Sequence, residues 1–331
     1  MRAALAGLAL IAGLVAPAAS PAAADLRSLA LQVDNDEFTG LDPHDRWYSS
    51  GLHAAALFDV EEGAAARRLL DAWCGPIRCA RDGEPLGFVS IGQNIYTQAN
   101  RRRVTPLPGD RPVGAWLYLR GGAVMDGPAR YDMVGFEIGL TGPGALGRRT
   151  QNTVHDIIGV TRVPGWRHQL RPRTGVALLA QSARRIPLGE RTDFVAEGRL
   201  HLGNLDTHVG VALGLRFGRA LDGARLPAEA SHAPPGVRGP SGWHGVAGLR
   251  ARAVAFDGLV EGPAFGYSPT VRARPFVVEG FAGLGYRFAR HAEVMFMLSR
   301  RSADFSGASL APGSFAGHTI GAIRLGWHFD H

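Results

Sequence analysis

Three short stretches hold the residues that could do chemistry. Asn35 and Asp36 stand together in "QVDNDEFTG", Tyr48, Ser49 and Ser50 follow in "DRWYSSG", and Gln151 and His155 are four residues apart in "RRTQNTVHDIIG". A spacing of four puts Gln151 and His155 on the same side of a helix. The set is a histidine, an aspartate, an asparagine, a hydroxyl and an amide. A neutral imidazole can take a proton from water. A carboxylate and an amide oxygen, from Asp36 and Asn35, can hold a hard divalent cation such as Ca2+, which could polarise an ester. Each group also has a plainer use. A histidine in a loop helix is commonly structural or solvated, and Asn-Asp at a strand end commonly forms a turn. Trp47, Tyr48, Trp116 and Trp166 read as membrane-interface aromatics.

Whether these groups can meet depends on the elements that carry them, and those depend on the solvent. Residues 1–24 open with one charge (Arg2), continue with an apolar run from Ala3 to Val15, and end in Ala22-Ala23-Ala24. This is the pattern of a cleaved signal peptide, with the mature chain starting near Asp25. The apolar run is too short to span a bilayer as a helix. Beyond it no run approaches the ~20 apolar residues that a spanning helix needs. Yet 46% of the residues are hydrophobic, 45 are glycine and only 20% are charged.

Period-two alternation recurs through the chain, as in "SLALQVDND", "GAWLYLRGGAVM", "HVGVALGLRFGR" and "TIGAIRLGWHFDH". About twelve such stretches occur, most near the roughly ten residues of a tilted membrane strand. The fold read from them is all-β: a transmembrane antiparallel barrel of about 12 strands over residues 25–331, with a short helix in an extracellular loop. In the last strand Ile323, Leu325, Trp327 and Phe329 share a face. In "RPFVVEGFAGLGYRF" the apolar face of Phe276, Val278, Phe281 and Leu284 needs a phase slip, so a bulge is expected there. Strand parity puts residues 37–46, 98–113 and 142–165 outside the cell. It leaves 59–86 and 226–242 in the periplasm, both long for periplasmic turns.

The helix is expected from Arg149 to Ile158, ended by Gly159. Cys74 and Cys79, in an exported chain, are expected to form a small disulfide loop. The net charge is +7, and all 36 basic residues are arginine. Arginine pairs bidentately with phosphate, which suits a surface of anionic lipid. No aromatic-basic stripe supports a nucleic-acid partner.

The stretches "DNDEFTG…DRWYSSG", "GQNIYT", "DRPVGAWLYL", "GLTGPGALGRRTQNTVHDIIG" and "GWRHQL" occur in this order. Together they resemble the lipid A 3'-O-deacylase family of Gram-negative outer membranes, from about Leu29 to Leu170 and more diffusely to the C-terminus. The resemblance implies a twelve-stranded outer-membrane barrel. It also implies hydrolysis of the 3'-linked acyloxyacyl chain of lipid A, divalent-cation dependence, and a monomer working on lipopolysaccharide. By position it implies catalytic roles for His155, Asp36, Asn35, Ser49 and Gln151, with Asp36 and Asn35 as cation ligands. The family's acidic residue soon after the histidine has no counterpart here beyond the adjacent Asp156. Arg46, Arg101, Arg102 and Arg103 are candidates, by location, for holding lipid phosphates. Two other readings stay open: a non-enzymatic barrel used for transport or structure, and an outer-membrane phospholipase with Ser49 as nucleophile.

Overall fold

A computed structural model gives the structure of residues 25–39, 47–80, 82–105, 107, 109–219, 221, 223, 225–226, 240–261, 271–288, 291–306 and 317–329. The proposed signal segment, Arg46 and most of 226–242 lie outside these described residues. The strands run in order β1 (Leu26–Asn35), β2 (Trp47–Asp59), β3 (Glu84–Thr97), β4 (Gly114–Asp126), β5 (Arg130–Thr141), β6 (Arg173–Gly189) and β7 (Thr192–Gly203). They continue as β8 (Asp206–Gly218), β9 (Gly242–Asp257), β10 (Arg272–Ala273), β11 (Phe276–Phe288), β12 (Ala292–Ser302), β13 (Phe305–Ser306) and β14 (Gly317–His328). All except β10 and β13 form one closed antiparallel barrel, each strand beside its sequence neighbours. The barrel seals where β1 pairs with β14, from Ser28↔His328 to Asn35↔Gly321. Closure leaves no unpaired edge in the bilayer, where no water is at hand to satisfy one. No helix among the described residues is long and apolar enough to cross a membrane.

Alternation decides what faces lipid and what faces the lumen. On β8, Val209, Val211, Leu213, Leu215 and Phe217 are exposed on the outside, while Ala212 and Arg216 are buried inside. At the periplasmic ends of β9 and β11, Trp243 and Tyr286 meet edge to face at 4.9 Å on the outer surface. This pair occupies the interface position that aromatics favour. The tryptophans and tyrosine expected there do not. Trp47, Tyr48 and Trp116 are buried against the lumen or its outer cap, and Trp166 is buried beneath a loop.

The strand expected to be bulged is regular. β11 pairs with β9 and β12 without a register shift. Phe281 looked out of phase because it faces the lumen, where the Arg250 guanidinium lies 4.1 Å over its ring.

The lumen is closed by side chains. Leu57, Phe88, Tyr131, Met133, Leu179 and Met295 belong to one buried apolar layer drawn from strands all round the barrel. Ion pairs flank it: Arg216 grips both oxygens of Asp193 at 2.8 Å, and Arg301 reaches Glu279 at 2.7 Å. The long periplasmic connections have a use here. Leu226 inserts into the apolar layer, and Arg225 lies 4.5 Å over the Tyr131 ring and 3.1 Å from Asp126. The first connection forms helix α1 (Ala65–Ile77), which buries Leu70. The Cys74–Cys79 disulfide closes its end, and Arg130 donates to the Arg78 carbonyl at 2.7 Å. Both segments brace the periplasmic end, which a short turn could not do.

Candidate active site on the outer face of the wall

Ser49, Gln151 and His155 stand on the lipid side of the wall, at its extracellular end, and Asn35 and Asp36 close β1 at the same end. In β3 the side chains of Asn94 and Tyr96 line the interior, so Gln93, Ile95 and Thr97 point outward. The register of β2 on β3 shifts between Tyr48 and Ser50. Tyr48 stays inside, donating to Asp34 at 3.0 Å. The shift sends Ser49 outward to Thr97, their hydroxyl oxygens 2.7 Å apart and both side chains almost fully buried. Across β1, Asn35 stands opposite Ser50.

β1 ends at Asn35, and Asp36 opens a 3-10 turn, Asp36–Thr39. The Asn35 side-chain oxygen accepts from the Glu37 amide at 2.7 Å, the turn-forming use that the pair has elsewhere. That bond leaves the Asn35 oxygen a second lone pair. Asp36 is only 2% exposed. A carboxylate with so little water needs a polar or cationic partner. Hard oxygen donors, one of them a buried carboxylate, suit a cation of the Ca2+ class.

The loop after β5 folds down over this outer surface instead of covering the lumen. Its 3-10 turn (Gly142–Ala145) accepts at the Ala145 carbonyl from Gln93 at 2.6 Å. Helix α2 follows (Gly147–Ile158), close to the expected span, ended by Gly159 with φ 76°. A side chain at Gly147 would put its Cβ 2.4 Å from Ala115 and 2.5 Å from the Trp166 ring. Glycine there lets the helix lie directly on the wall, where α2 packs against β3 and β4.

Gln151 and His155 are both buried on this helix. Gln151 accepts at Oε1 from the Trp166 indole N–H at 2.7 Å, which leaves its NH2 end as the donor. His155 Nδ1 lies 2.9 Å from the Thr161 carbonyl oxygen. A carbonyl can only accept, so Nδ1 carries the proton and, in the neutral ring, the lone pair lies on Nε2.

Asp156 does not stand in for the family's acid. It is exposed and gripped by Arg162 at 2.6 and 2.8 Å. That hydrogen-bonded contact holds its carboxyl below the usual range. Thr161 instead contributes a main-chain oxygen to the histidine.

The arginines divide. Arg101 is engaged by Glu37 at 3.0 Å, which ties the loop after β3 to the turn holding Asp36. Arg102 and Arg103 are exposed, on a turn fixed by Gln98, which donates to the Asn100 and Arg103 carbonyls at 2.8 and 2.6 Å. Sequence reasoning missed Thr97, Gln93 and the Thr161 carbonyl. Thr97 sits in the quoted "GQNIYT" stretch, a polar side chain at an outward position among apolar ones.

The pattern model of the family described as outer membrane protein LpxR matches residues 5–329. The chain belongs to the LpxR family. This is the lipid A deacylase family that its motifs resemble, and LpxR proteins are outer-membrane proteins, which places this chain in that membrane. LpxR from Salmonella typhimurium has the same fold, with a TM-score of 0.72 at 20% identity, covering 91% of this chain and 100% of that one. The β domain of the Bordetella autotransporter BrkA gives a TM-score of 0.45 at 13% identity over 92% of this chain and 99% of its own. The KdgM porin gives 0.39 at 4% identity, with the same coverage. No curated protein matches in sequence.

Replacing Thr97 by valine keeps the shape and removes the hydroxyl partner of Ser49. A buried hydroxyl left unpaired costs about 1–3 kcal/mol. The expected result is a five- to hundredfold lower deacylation rate on the order of that energy, with barrel assembly unchanged. Wild-type rates in Thr97→Val would mean that the hydroxyl pair is only packing.

Proposed function

We propose that this chain hydrolyses the ester that links the 3' acyloxyacyl chain to lipid A. The observation that carries the reading is the Nδ1-protonated ring of His155, clamped by its own helix against the lipid-facing wall. In this reading a water gives a proton to His155 Nε2 and attacks the ester carbonyl carbon. Negative charge then develops on the carbonyl oxygen and must be met by positioned donors. The Gln151 NH2 group is one. The buried Ser49–Thr97 hydroxyl pair is a second polar group on this wall. When the intermediate collapses, the imidazolium returns its proton to the sugar oxygen, giving a free acyloxyacyl acid and a sugar hydroxyl. Asp36 and Asn35 would hold a divalent cation such as Ca2+, which would supply charge stabilisation at the carbonyl oxygen. Arg102 and Arg103, exposed in the loop after β3, are suited to the lipid phosphates.

Two observations weigh against the other readings. The apolar layer across the lumen disfavours a transport barrel. The hydroxyl of Ser49 is bonded to Thr97, not to a histidine that could activate it as a phospholipase nucleophile. Mass spectrometry of lipid A from cells with and without the protein tests the reaction. The expected difference is loss of one acyloxyacyl group, and unchanged lipid A with altered phospholipids would favour the phospholipase.

The cation has its own test. EDTA treatment of the purified protein should abolish deacylation, and added Ca2+ should restore it. Full activity in EDTA, alongside an inactive Asp36→Ala variant, would keep Asp36 essential and remove its metal role.

A further inference from the structure

Inside the barrel, away from the lipid-facing wall, a second set of ligating groups converges at the extracellular end. His201 and His208 are direct cross-strand partners on β7 and β8. Both point into the lumen cavity, and their rings are parallel within 3° at 5.2 Å. Asp206 stands between them at the start of β8. His208 Nδ1 is 3.0 Å from each Asp206 carboxylate oxygen. His201 Nδ1 is 2.9 Å from the Asp206 carbonyl oxygen and 3.8 Å from its carboxylate.

We propose that His201, Asp206 and His208 bind one divalent transition metal of the zinc class within the barrel lumen. Ligand atoms from all three residues lie within 4.8 Å of one another. Zinc bonds nitrogen and oxygen at about 2.0–2.2 Å, so two donors on one ion stand roughly 3.0–3.5 Å apart. His208 Nδ1 stands at this separation from the Asp206 carboxylate, and His201 Nδ1, at 3.8 Å, would move in slightly on binding. His201 also has the outer partner that metal-bound histidines favour. Glu137 Oε1 lies 3.2 Å from its Nε2, and Arg120 holds Glu137 in turn at 2.5 Å. With Glu137 accepting from Nε2, a metal at Nδ1 would take the place of the proton that this nitrogen otherwise donates to the Asp206 carbonyl.

Imidazole with a single carboxylate favours zinc, nickel or copper over calcium and magnesium, which take all-oxygen sets. The hairpin is already tied down, since the Asn204 amide N–H donates to the Val176 carbonyl at 3.2 Å, so the donors need little ordering. Arg252, which faces the same cavity, opposes the ion and limits its affinity. The competing account of these distances is a doubly protonated His201 donating to Glu137 and to the Asp206 carbonyl.

The experiment uses untagged, full-length protein in detergent, stripped with EDTA and dialysed. Zn2+ is titrated by calorimetry, and Co2+ by its visible absorption. Wild type should bind one equivalent in the lumen with nitrogen-ligand bands for Co2+. Asp36→Ala should bind it as well, which separates this site from the cation site proposed on the outer face. His208→Gln should lose more than the ~10–100-fold that removal of an outer-shell partner costs. Heat-modifiable gel migration reports that each barrel has assembled. If His201→Ala fails to assemble, His208→Gln, at a less buried position, still decides the matter. No zinc uptake by wild type, or equal uptake by an assembled His208→Gln, overturns the proposal.

Discussion

His155→Ala should lower deacylation by ~10²–10⁴-fold, the usual worth of a positioned general base. The loss should fall on kcat, because the ring is assigned to proton transfer and not to holding the lipid. Assembly should survive, since His155 sits on an external helix and not in a strand. His155→Asn keeps a hydrogen bond to the Thr161 carbonyl within reach but has no base, so it should be as inactive as alanine. The readout is lipid A mass spectrometry on equal amounts of heat-modifiable protein. Near-normal deacylation by either variant would remove the proton-transfer role.

The second large effect is on stability. Arg111, in the loop after β3, is buried and donates to Asp304, just past β12, at 2.5 Å. Its guanidinium also lies 4.1 Å over the Tyr96 ring. The pair joins two extracellular segments over the lumen, beside the loop carrying Arg101 to Arg103. Arg111→Met leaves the Asp304 charge buried without its main partner, which typically costs about 3–5 kcal/mol. The temperature at which the barrel loses its compact gel migration should fall markedly. The double variant Arg111→Met/Asp304→Leu should recover most of the loss, since apolar replacement of both partners is often neutral.

Acid separates the two backgrounds. In wild type, burial alone would push the Asp304 carboxyl up, but Arg111, with His318 and Arg252, overrides this and holds it well below the usual range. The stability this contributes is present above the unfolded value of ~3.9 and is lost only as pH falls through the depressed one. Without Arg111 the same burial raises the carboxyl, so protonation relieves the variant. Its deficit should shrink as pH falls. A deficit that grows in acid would show that Arg111 acts through something other than Asp304.

The barrel was legible because lipid imposes a strict period of two on every strand, as on β8 and β14. The reading failed where that period carries an exception. Phe281 is apolar and faces inward, so β11 looked slipped. Trp47 and Trp116 are aromatic and rim-placed, so they looked like interface anchors. The helix of Gln151 and His155 could be read because its spacing, and Gly159 behind it, are local signals. Thr97 could not be read, because its meeting with Ser49 depends on a register shift between two strands. The periplasmic segments looked too long because Arg225 and Leu226 do their packing inside the barrel, a contact that no local pattern announces. Which polar groups mattered came mainly from motif order, since Asn35-Asp36 taken alone is an ordinary turn.

Gln151 and His155 lie against the outside of the wall, carried by a loop that folds down and not across. A lipid would therefore arrive by lateral diffusion within its own leaflet and never thread a pore. Encounter then depends on the mole fraction of substrate in the surface, not on its bulk concentration. Adding inert detergent or phospholipid to mixed micelles, at constant total lipid A, should slow the reaction by surface dilution. In the cell, the same placement ties the rate to how crowded the outer leaflet is with lipopolysaccharide.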